Sequence, residues 1–138
     1  MFQKVLPCID NWGACDAIVA RLKGLESERK FFENLLKSEE PFYVRAGIVW
    51  LMKYQLKQDM QNVINLIRKV KNDHFYVKMA IAWCYAEAFA IDYKYMYDFI
   101  QKETDIFIRN KTLQKACESY RVKKEDKQAL KMLRVKNK

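Results

Sequence analysis

Phe42-Tyr43-Val44-Arg45-Ala46-Gly47-Ile48-Val49-Trp50 and Phe75-Tyr76-Val77-Lys78-Met79-Ala80-Ile81-Ala82-Trp83 are two versions of one text. Ile106-Phe107-Ile108-Arg109 is a weaker third version, so the matching cations fall at Arg45, Lys78 and Arg109. Each is preceded by a short polar break: Ser38-Glu39-Glu40-Pro41, Lys71-Asn72-Asp73-His74 and Lys102-Glu103-Thr104-Asp105. Self-similarity at a period in the low thirties, in a helical chain, is the signature of stacked helical hairpins. The reading is therefore all-α: an α-solenoid of helical-hairpin repeats, with helix pairs stacked in two layers.

Outward from these segments, the hydrophobic spacing predicts helices over Glu28–Lys37, Phe42–Leu56, Met60–Val70, Phe75–Ala90, Tyr93–Gln101, Ile106–Tyr120 and Glu125–Arg134. Val63, Ile64, Ile67 and Val70 form the stripe of one; Phe75–Ala90 is apolar on most sides and reads as central. Pro41 fits a first helical turn, and Asp73 and Asp105 read as N-caps. No segment alternates with period two, so no sheet is expected. The 138 residues are read as one domain, 1–138. Only three Gly and two Pro occur, far below the roughly 12% combined share of an average domain, which excludes turn-rich β folds.

No apolar run reaches the roughly 18 residues of a membrane span, and the N-terminus lacks a signal-peptide core. A reducing cytoplasm is the expected location. Cys8, Cys15, Cys84 and Cys117 have no ligand-like spacing and only His74 accompanies them, so they read as reduced thiols and no metal or cofactor is expected.

The chain carries 26 Lys and Arg against 17 Asp and Glu, a net charge of +9. Such a balance favours polyanions. Eight of the basic residues lie in the tail from Arg121, which reads equally as a polyanion contact or as a solvated helix. The repeat sharpens the charge. Trp12, Arg45, Lys78 and Arg109 hold equivalent positions and are expected to form a column, its cations a strip for a phosphate backbone. The alternative is that each cation snorkels or pairs with a nearby acid.

Candidate chemistry is sparse. Trp12 and Asp16 stand at i, i+4 and share a helix face. Asp16 reads as a surface acid or a catalytic one, Asp10 as an N-cap, and Trp83 as core or groove wall. His74, in a polar break, reads as a surface or capping residue. There is no Gly-rich phosphate loop, nucleophile elbow or zinc-protease motif.

Four separated stretches, in order, resemble one family. They are Asp10-Asn11-Trp12-x-x-Cys15-Asp16, Val44-Arg45-x-x-Ile48-Val49, Tyr76-Val77-Lys78-Met79-Ala80-Ile81-Ala82-Trp83, and Asn110-Lys111-x-Leu113-Gln114-Lys115-x-x-Glu118-Ser119-Tyr120-Arg121. They look like the DNA alkylation repair family, the HEAT-like-repeat, AlkD-like DNA glycosylases. The resemblance implies excision of cationic N3- and N7-alkylated purines from double-stranded DNA without base flipping. It implies Asp16 as the catalytic carboxylate, stabilising the cationic sugar and positioning water. Trp12 and Trp83 would pack against the lesion's sugar, and Arg45 would bind phosphate beside it. Arg45, Lys78, Arg109 and Lys111 are the expected phosphate contacts.

Family members carry several helices before the Asp-Asn-Trp motif, whereas this chain begins almost at it. It therefore reads as N-terminally truncated, the C-terminal part of the family's full-length fold. Phe2, Val5, Leu6 and Ile9 would form an uncapped face open to self-association. Two other functions stay open: a non-catalytic HEAT-like DNA-binding module or remnant, and a protein-interaction solenoid.

Overall fold

The computed structural model describes residues 29–119 and 121–134, and within them all regular structure is helical. The helices are α1 (Arg29–Leu35), α2 (Pro41–Tyr54), α3 (Met60–Arg68), α4 (Phe75–Ile91), α5 (Tyr93–Gln101), α6 (Ile106–Glu118) and α7 (Lys124–Met132). Short helices beginning at Arg29, Met60 and Tyr93 alternate with long ones beginning at Pro41, Phe75 and Ile106. Both series therefore return with the period of the sequence repeat. This is the alternation and pairing of a helical-repeat solenoid.

Helix ends differ from the sequence expectation by at most two residues where described. The cause is local: last turns tighten from i→i−4 to i→i−3 bonds, as in Lys69 N–H to Leu66 O at 3.3 Å and Leu133 N–H to Leu130 O at 3.0 Å. Pro41 opens α2, and Asp105 accepts the Ile108 N–H at 3.0 Å as the N-cap of α6. Asp92 caps α5 in the same way through Tyr95 N–H, a cap the sequence reading did not assign. The Asp73 assignment is corrected. His74 stands at the cap of α4: its carbonyl accepts from Lys78 N–H, and its ring Nδ1 accepts the Tyr76 N–H at 3.2 Å.

The chain divides into two compact units within α4, one ending at Ala80 and the other beginning at Ile81. In the first, α1 packs on α2. Helix α2 is buried on all sides from Val44 to Met52, so it has no solvent face to make amphipathic. Phe32 of α1 stacks on Trp50 of α2 with ring centroids 4.5 Å apart, and both are fully buried. Gly47 permits this approach: a Cβ there would lie 2.7 Å from the Phe32 carbonyl oxygen and 3.0 Å from Leu36 Cδ2. Helix α3 presents Met60, Val63, Ile64 and Ile67 inward, one stripe at helical spacing.

Arg29 closes the outside of this unit. It bonds Glu33 Oε2 at 2.6 Å, Asp59 Oδ2 at 2.8 Å and Gln55 Oε1 at 3.1 Å. Burial alone would lower its pKa; the hydrogen bonds and charges of Glu33 and Asp59 outweigh burial and raise it.

In the second unit, Ile81, Ala82, Cys84, Tyr85, Ala88 and Phe89 of α4 are buried, together with Met96 and Ile100 of α5 and Leu113 and Ala116 of α6. Tyr85 meets Phe99 edge-on at 5.1 Å. Helix α7 packs on α6, with Leu130 fully buried. Tyr93 donates its hydroxyl to the Asp126 carbonyl at 3.3 Å.

Candidate functional site

The second unit carries an open depression of about 340 Å³ lined by Trp83, Ala86 and Glu87 of α4, Lys115 and Glu118 of α6, and Ser119 and Arg121 beyond it. Helical spacing builds it. Residues 83, 86 and 87 stand at i, i+3 and i+4 and share one face of α4; Lys115 and Glu118 share a face of α6 at i, i+3, with Ser119 at its C-cap. Trp83 is half-buried, so part of its indole is open to this depression. Across the rim Arg121 Nη2 pairs with Glu87 Oε2. Gln114 Nε2 donates to Glu118 Oε1 at 3.0 Å, and Lys111 Nζ donates to Gln114 Oε1 at 3.2 Å. The wall thus offers one aromatic face among two cations and two carboxylates.

Glu87, Lys115, Glu118, Ser119 and Arg121 were not among the site residues expected from sequence. A signal was present, because the paired Glu87 and Arg121 are separated in sequence by close to one repeat length.

The expected phosphate contacts are held in different ways. Arg45 is only 6% exposed and its Nη1 donates to the Tyr76 carbonyl at 2.8 Å, within the first unit. Lys78 is half-buried in the same unit. In the second unit Arg109 is half-buried: Nε and Nη2 donate to the Leu133 carbonyl at 3.0 and 2.8 Å, and Nη1 to the Gln101 carbonyl at 3.3 Å. Leu133 caps α7 and Gln101 ends α5, so one guanidinium sits where two helix dipoles favour a cation. Arg45 and Arg109 therefore serve main-chain carbonyls, which the sequence reading did not foresee. Trp12 and Asp16 lie outside the described residues, as do Asp10 and the apolar Phe2, Val5, Leu6 and Ile9.

The first unit has a larger cavity of about 690 Å³ between the α1–α2 and α3–α4 turns, lined by Glu33, Lys37, Glu39, Lys69, Lys71 and Asp73 among others. Its charges cancel. Cys84 and Cys117 are free thiols. Burial, aided by Glu87, pushes the Cys84 thiol far up; burial also raises Cys117 against the downward pull of Lys131, Arg134 and Lys127. Neither is an activated nucleophile. Among the described residues no group of three His, Cys, Asp or Glu could hold a metal ion, and no helix is long and apolar enough to cross a membrane.

An all-α helical-repeat fold with a basic balance and an aromatic surface depression defines a helical-repeat protein suited to a polyanion. The model of the DNA alkylation repair enzyme family matches residues 1–120, and the chain belongs to that family. No curated protein and no solved structure matches the chain.

Proposed function

We propose that this protein is a DNA glycosylase that removes cationic N3- and N7-alkylated purines from double-stranded DNA. In the reaction the C1′–N bond breaks, its electron pair neutralises the departing base, and the sugar becomes an oxocarbenium-like cation. The carboxylate of Asp16 stabilises that cation, orients a water molecule for attack at C1′ and accepts its proton. A cationic base is a good leaving group, so no general acid is required.

The observation that carries this reading is Trp83, a half-buried indole on an open depression rather than inside an enclosed pocket. An indole face stabilises a nearby sugar cation electrostatically. An open wall suits a nucleotide approached from outside the duplex, in contrast to enzymes that enclose a flipped base. Trp12 is assigned the matching role. Phosphate contacts are assigned to Lys78, Lys111, Arg45 and Arg109.

The test is release of 7-methylguanine from methylated duplex DNA by wild type and Asp16→Asn. Release by wild type alone is expected, with DNA binding nearly equal in both and EDTA without effect. Salt-sensitive binding without release by either protein would make the chain a non-catalytic DNA-binding module.

A further inference from the structure

From Arg121 to Arg134 the chain holds six cations against Glu125 and Asp126. Helix geometry segregates these charges. Taking buried Leu130 as the inward direction of α7, Lys127, Lys131 and Lys124 fall about 60°, 100° and 120° to one side at about 100° per residue. Asp126 and Glu125 fall about 40° and 140° to the other side. The chain stays near helical past the C-cap Leu133, which brings exposed Arg134 onto the cationic side. Lys124 and Lys131 are exposed and Lys127 is half-buried. No ion pair among the described residues engages these three lysines.

The cationic flank of α7 borders α6 at Cys117. Cys117 donates its S–H to the Lys127 carbonyl at 3.6 Å, and its thiol feels Lys131, Arg134 and Lys127 together. Lys115 stands about 200° around α6 from Cys117 and, with Arg121, lines the Trp83 depression instead.

We propose that the Lys124–Lys127–Lys131 flank of α7 is a binding surface for the phosphate backbone of duplex DNA, outside the depression that holds Trp83. Successive cations along α7 are spaced by about 4.5 and 6 Å of helix rise, so the stripe follows a charged strand rather than a single anion. Leu130 turns one apolar side of α7 into the fold, and exposed Met132 by itself makes no hydrophobic stripe to enter a bilayer. A soluble polyanion is therefore the fitting partner. The proposal rests on the DNA reading above for the identity of that polyanion, and not on catalysis.

The experiment compares wild type with Lys124→Gln/Lys127→Gln/Lys131→Gln. A control with the same net charge, Lys30→Gln/Lys57→Gln/Arg68→Gln, changes exposed cations of the first unit. Gln matches Lys in helix propensity, and circular dichroism verifies the fold. Binding to an unmodified DNA duplex of about two helical turns is measured from about 50 to 200 mM salt. Three lost phosphate contacts should make the slope of log K against log salt shallower by about 2 to 3.

The control should keep the wild-type slope to within about one contact. An unchanged slope in the α7 variant, an equal loss in the control, or no salt-dependent DNA binding by wild type would each overturn the proposal. Wild-type binding to vesicles of one part phosphatidylglycerol to three parts phosphatidylcholine, abolished in the α7 variant while its DNA slope is unchanged, would assign the flank to membranes instead. A shallower slope with no base release by wild type would uphold the α7 surface and defeat the glycosylase reading alone.

Discussion

Trp50 and Trp83 end the two matching stretches of sequence, yet they meet different fates. Trp50 is fully buried against Phe32 in the first unit; Trp83 is half-buried and borders an open depression in the second. The repeated text around each indole does not account for the difference. What covers each indole does. Gly47 lets α1 come close enough for Phe32 to cover Trp50, whereas Trp83 keeps part of its indole on the open depression. Repeat equivalence therefore predicts a residue's place on its helix but not its exposure.

The largest test of this contrast is truncation of the two indoles. Trp50→Ala should cost about 3–5 kcal/mol, as expected for a large core aromatic, and leave little folded protein. Trp83→Ala should cost less than half as much in urea denaturation followed by circular dichroism. Equal losses would show that Trp83 serves the core.

A smaller effect comes from making the first stretch resemble the second. Gly47→Ala places a methyl group against the Phe32 carbonyl, so α1 must shift. The expected cost is about 1–3 kcal/mol, from overpacking. It should appear with a red shift of Trp50 fluorescence as the indole gains water. A stabilising Gly47→Ala would mean that α1 is free to move.

The smallest effect contrasts the starts of the long helices. Asp105 caps α6, while Glu40 makes no side-chain cap for α2. Asp105→Ala should lower stability by about 1 kcal/mol and Glu40→Ala by no measurable amount, read from chemical denaturation midpoints.

The helices were legible because periodicity is a local signal: every described helix lies within two residues of its expected limits. Asp105 was legible as a cap for the same reason, and Asp73 misled because Asn72 and His74 offered competing side chains beside it. The candidate site was legible only in part. Trp83 stands out by residue type, but Glu87 joins it through Arg121, an arginine about one repeat further along the chain. The carbonyl partners of Arg45 and Arg109 were not legible, because backbone carbonyls leave no mark in a sequence. The cationic flank of α7 sat in plain view, yet net charge alone could not separate a binding surface from a solvated helix until buried Leu130 fixed its orientation.

The guanidinium of Arg109 reaches the ends of two helices at once, Gln101 of α5 and Leu133 after α7. That makes the spacing within α6 a measured length. Exposed Lys102 and Thr104 sit in a loop that can take other residues, or an extra one, by bulging into solvent. One residue added between Arg109 and buried Leu113 would instead carry Arg109 about 100° around its helix and away from both carbonyls. Evolutionary drift is expected to vary the loop and to conserve the count from Arg109 to Leu113.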